Sequence, residues 1–98
     1  MTTGQLTTTQ NTGAHTDDAK NLIVNAREQI DALDERMIAL AHERMAVSAQ
    51  IQQARITSGG CRVNLSRELE VLNHYRASLG KPGTAVAMAL LELCRGQF

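Results

Sequence analysis

The side chains best suited to chemistry in this 98-residue sequence are its arginines, which supply eight of the ten cationic groups. A guanidinium is planar and always charged, and it holds carboxylates or phosphates through paired hydrogen bonds. Arg44 and Arg55 are separated by eleven positions. Eleven residues are about three helical turns, so on one helix the two point nearly the same way, roughly 16 Å apart along the axis. Both fall within a stripe that is otherwise apolar, containing Leu33, Met37, Leu40, Val47 and Ile51. A guanidinium aimed at a core is costly unless an anionic group meets it.

Arg62 and Arg67 follow around a helix-loop-helix corner. Four arginines with few acids beside them suit a small polyanionic ligand. In the alternative reading, Arg44 and Arg55 lie at the stripe's edges, extend outward and pair with Glu43, Glu68 or Glu70. The residues alone leave both readings open. Arg27 stands 17 positions before Arg44 and about 100° around the helix from it. It cannot readily serve the same site within one chain, but in an antiparallel dimer it could serve the partner's.

Other chemistries lack their residues. His42 and His74 have no Cys, Asp or second His at ligand spacing, which argues against a metal. Gly59-Gly60 follows no strand and is a weak phosphate loop. Ser48 has no His nearby in sequence and reads as a small packing residue rather than a nucleophile. The two cysteines, Cys61 and Cys94, are far apart and read as reduced thiols of a cytosolic protein.

Three helices must position these groups, so the fold class is all-α. The stretch from Asp18 to Ser58 has no Pro or Gly and is rich in Ala, Leu, Glu, Gln and Arg, all good helix formers. Thr16, Asp17 and Asp18 are capping candidates at its start, and Gly59-Gly60 ends it. Such a helix is about 60 Å long, too long for the rest of the chain to cover. The apolar stripe therefore implies an intertwined homodimer with the long helices packed together. Asn64 caps a second helix, Leu65 to about Leu79, with an apolar face of Leu65, Leu69, Leu72, Tyr75 and Leu79. The turn Gly80-Lys81-Pro82-Gly83 leads into a third helix, about Pro82 to Arg95, which is apolar nearly all round. Residues 1–17 are mostly Thr, Gln, Gly and Asn and read as a disordered tail. Residues 18–98 are one domain.

Composition narrows the partners. The formal net charge is zero, which argues against nucleic acid as the main partner. With Tyr75 and Phe98 as the aromatics, stacking on bases or sugars is not expected. No apolar run approaches a membrane span, and no signal peptide is visible, so a cytoplasmic protein is expected.

The run from Arg27 to Arg55, then Ser58-Gly59-Gly60 and Ser66-Arg67-Glu68, resembles the all-helical (type II) chorismate mutases, and within them the short stand-alone subclass of actinobacteria. The resemblance covers about residues 22–96. It implies three helices per chain in an interlocked two-fold dimer with two identical sites and no cofactor. It also implies that Arg27 comes from the other subunit to bind a substrate carboxylate and that Arg44 holds a carboxylate. Arg55 would lie against the ether oxygen, and Arg67 and Glu68 would belong to the site, Glu68 meeting the substrate hydroxyl. Asn64 stands where an Asp is common and still offers a carbonyl oxygen or backbone contacts. Arg62 matches the subclass without an assigned contact.

The implied reaction, a Claisen rearrangement of chorismate to prephenate for phenylalanine and tyrosine synthesis, needs no nucleophile, metal or general base. Orientation and preorganised charge are its levers. The subclass also implies DAHP synthase as an activating partner, although the Gln97-Phe98 ending departs from the longer basic tail expected there. Isochorismate-pyruvate lyase and aminodeoxychorismate mutase share the scaffold and remain alternatives. A non-catalytic helical dimer that binds partners is the alternative of another class.

Overall fold

A computed structural model describes residues 11–60 and 64–95. They form three helices, α1 (Asp17–Thr57), α2 (Leu65–Leu79) and α3 (Lys81–Arg95). The chain divides into two compact units, Met1–Ile38 and Ala39–Phe98. The Arg62 expectation falls outside the described residues, as do the first ten residues of the expected tail.

Each helix end has a local cause. Thr16 caps α1: its Oγ1 accepts from the Ala19 backbone N–H at 3.1 Å, and Asp17 and Asp18 occupy the first turn, where negative charge suits the helix dipole. At the other end Gly59 takes a positive φ of 87°. That lets Gly60 N–H donate back to the Arg55 carbonyl at 2.7 Å, satisfying an acceptor the helix leaves open. The Asn64 side chain accepts from the Arg67 N–H at 3.0 Å and starts α2.

Gly80, at φ 79°, closes α2 by donating to the Arg76 carbonyl at 2.8 Å. Its own carbonyl accepts from Gly83 N–H at 2.9 Å, so α3 begins at Lys81, one residue earlier than Pro82. Pro82 is tolerated there because a first-turn residue needs no intrahelical N–H bond.

In the second unit α2 and α3 pack as an antiparallel hairpin. Ala87 is fully buried and Val71 nearly so, at 7% exposure. Gly83 is the point of closest approach: a Cβ added there would lie 2.3 Å from the Tyr75 carbonyl oxygen. Within the chain this packing uses only part of the apolar face of α2: Leu72 and Tyr75 are half-buried. Leu65, Leu69 and Leu79 are exposed, while Val71 is the buried residue. The small residues of α3 decide this, because Gly83 and Ala87 admit the Val71–Tyr75 edge of α2 and leave Leu65, Leu69 and Leu79 uncovered within the chain.

No residue of α1 is buried. In the first unit Leu22, Ile30, Leu33 and Met37 of the apolar stripe are exposed, and in the second Leu40, Val47 and Ile51 are.

Candidate active site

The second unit holds an open cavity of roughly 250 Å³. α1 contributes Arg44 and Arg55, both half-buried and on one face, as their eleven-residue spacing requires. The start of α2 contributes Asn64, Arg67 and Glu68. Val47, Ile51, Val71 and Leu91 form the apolar walls. Five of the six residues assigned a contact from the resemblance thus surround one space. Arg27 belongs to the first unit, where its Nη2 donates to the Asn11 carbonyl at 2.9 Å.

α3 completes the cavity with Cys94 and Arg95, neither of which is assigned a contact from sequence. Arg44 Nη1 donates to Cys94 Sγ at 2.8 Å, and Ser48 Oγ donates to the Cys94 carbonyl at 3.3 Å. Arg95 Nη2 donates to Glu68 Oε1 at 2.7 Å, an ion pair whose carboxylate side chain is 20% exposed and whose guanidinium side chain is 42% exposed. No periodicity argument could have found these contacts, since they join residues 50 and 27 positions apart. Gln52 was missed for a different reason. It reads as an ordinary polar helix residue, yet it lines the cavity, and its Oε1 is buried without a hydrogen-bond partner among the described residues.

Two of the acids in the alternative reading have other arginines as partners. Glu68 pairs with Arg95, and Glu70 pairs with Arg67 at 3.1 Å. The Arg67–Glu70 pair is two-thirds exposed, so it is worth no more than about 0.5 kcal/mol and is easily exchanged for a stronger anion. The wall therefore presents several guanidiniums and one paired carboxylate to a compact space. That arrangement binds and orients a small anion bearing more than one acidic group. Among the described residues it offers no nucleophile paired with a base. Among the described residues no group of His, Cys, Asp and Glu is placed to hold a metal ion.

Residues 26–92 match the family described as chorismate mutase type II, and the chain belongs to that family. Among its relatives, the intracellular chorismate mutase of Mycolicibacterium smegmatis is 44% identical over 81 residues, which are 83% of this chain and 78% of the relative. That of Mycobacterium tuberculosis is 45% identical over 72 residues, 74% and 68% of the two chains. The fold also matches a chain of a solved non-covalent complex of DAHP synthase and chorismate mutase from Corynebacterium glutamicum with a bound transition-state analogue. The TM-score there is 0.77 at 32% identity, covering 82% of this chain and 96% of that one.

Proposed function

We propose that this chain rearranges chorismate to prephenate in the synthesis of phenylalanine and tyrosine, using positioned arginines and no cofactor. The observation that carries the reading is the convergence of Arg44, Arg55, Arg67 and Glu68 on one cavity. Chorismate carries two carboxylates, a ring hydroxyl and an ether C–O bond that breaks as a C–C bond forms. The chain's task is to hold the folded, reactive conformer and to place positive charge where the ether oxygen becomes negative. Arg44 binds a carboxylate. Arg55 meets the ether oxygen, a contact that strengthens as the bond breaks and so lowers the barrier. Arg67 adds a third cation to the pocket by leaving its exposed pair with Glu70. Glu68 accepts from the ring hydroxyl. Asn64, whose Oδ1 caps α2, keeps its amide N–H groups for the substrate.

The active species in this reading is a two-fold, intertwined homodimer built on the very long α1. Its support is the exposed apolar surface of α1 within each unit, together with Leu65, Leu69 and Leu79 of α2. A second copy would cover these residues and would bring its Arg27 to the substrate's other carboxylate. Docking of DAHP synthase onto this dimer belongs to the same reading. Val86, Met88 and Leu93 of α3 are exposed apolar residues that a partner protein would cover. The relatives are called intracellular, and among the described residues no helix is long and apolar enough to cross a membrane. Both support a cytoplasmic enzyme.

The test is to follow chorismate consumption and identify the product. Prephenate is expected. Salicylate with pyruvate from isochorismate, the amino analogue from aminodeoxychorismate, or no turnover would each overturn the reading. Titrating DAHP synthase into the assay tests the partner: kcat/KM should rise, and an unchanged value removes it.

A further inference from the structure

A carboxylate in a pocket for a dianion is an electrostatic conflict. Glu68 lines the cavity beside Arg44, Arg55 and Arg67, yet its own charge repels the anion those arginines attract. The conflict is resolved within the fold. Arg95, the last residue of α3, reaches across to α2 and donates to Glu68 Oε1 at 2.7 Å. The preceding residue fixes that last turn, since Cys94 accepts from Ser48 Oγ through its carbonyl and from Arg44 Nη1 through its sulfur.

We propose that Arg95 is a positioning residue for this reaction: it neutralises Glu68 and holds one of its oxygens, leaving the other to accept from the substrate's hydroxyl. The inference rests on the reading of the cavity as the chorismate site. It adds a cation that never needs to touch the substrate. Paired this way, Glu68 contributes an acceptor without contributing a repulsive charge. Unpaired, it would keep the acceptor and repel both substrate carboxylates. Binding of the dianion therefore depends on a residue at the far end of the helical hairpin from its turn.

The experiment is a two-residue cycle read by steady-state kinetics with chorismate. Arg95→Ala should raise KM about tenfold, with a smaller change in kcat, because removing the counter-charge acts on binding of the anion. The same change in a Glu68→Gln background should raise KM less than about threefold, since the neutral amide has no charge left to compensate. Arg95→Lys, which keeps the charge, should remain close to the parent. An equal KM penalty in both backgrounds would mean that Arg95 only supports the hairpin, and it would overturn the proposal. So would an unchanged KM in Arg95→Ala. A parent chain that does not consume chorismate would fail at the earlier reading, so the two failures are distinguishable.

Discussion

Arg44 Nη1 lies 2.8 Å from Cys94 Sγ, a contact between residues 50 positions apart that ties the middle of α1 to the last turn of α3. A thiol is a weak, neutral acceptor, so the contact orients the guanidinium without satisfying its charge. An incoming carboxylate replaces the sulfur at little cost. Cys94→Ala is therefore expected to leave KM within about threefold of the parent, as loss of a bond to a weak, neutral acceptor should. Arg44→Ala removes a charge-assisted bond and should raise KM by about 10- to 100-fold. Equal effects of the two changes in steady-state assays would show that the thiol, not the substrate, is what Arg44 serves.

Arg55 and Arg27 should separate kinetically. A contact that strengthens in the transition state appears in kcat, so Arg55→Ala should lower kcat by about two to three orders of magnitude. Arg27→Ala should act mainly on KM, as loss of uniform binding does. Near-normal turnover by the Arg55 variant would refute its assignment.

Mixing those two variants tests the shared site. If Arg27 crosses to the partner's pocket, a dimer with one Arg27→Ala chain and one Arg55→Ala chain has one intact site and one doubly altered site. After subunit exchange, half of the dimers are of this kind, and kcat/KM, read at chorismate well below KM, should recover to about a quarter of the parent's. No recovery after demonstrated exchange would place Arg27 outside the partner's site.

Gly83→Ala is expected to destabilise the hairpin. The new Cβ would sit 2.3 Å from the Tyr75 carbonyl oxygen and 3.0 Å from Leu79 Cβ, and backbone cannot give way as a side chain can. Overpacking of this kind costs about 1–3 kcal/mol, and each kcal/mol lowers the Tm of a domain this size by roughly 4–8 °C. Thermal unfolding measures it, and an unchanged Tm would contradict the packing described.

Asn64→Asp and Asn64→Ala divide capping from substrate binding. Asp keeps an oxygen for the Arg67 N–H, so stability should hold, whereas Ala should cost about 1 kcal/mol. If Asn64 also binds substrate through its amide, Asp should raise KM while the Tm stays constant. A constant KM would confine Asn64 to its cap.

The sequence by itself determined the local features. Helix-forming composition, the Gly59-Gly60 stop and the Asn64 cap set the helices to within a residue, because helix propensity and capping depend on neighbouring residues. The eleven-residue spacing put Arg44 and Arg55 on one face, because helical pitch fixes angle from position alone. Tertiary structure decided which edge of α2 meets α3, since Val71 is buried where Gly83 and Ala87 of α3 allow close approach. It also decided the pairings of Arg95 with Glu68 and of Arg44 with Cys94. The first joins α2 to α3 and the second joins α1 to α3, and a helix's own periodicity carries no record of what packs against it.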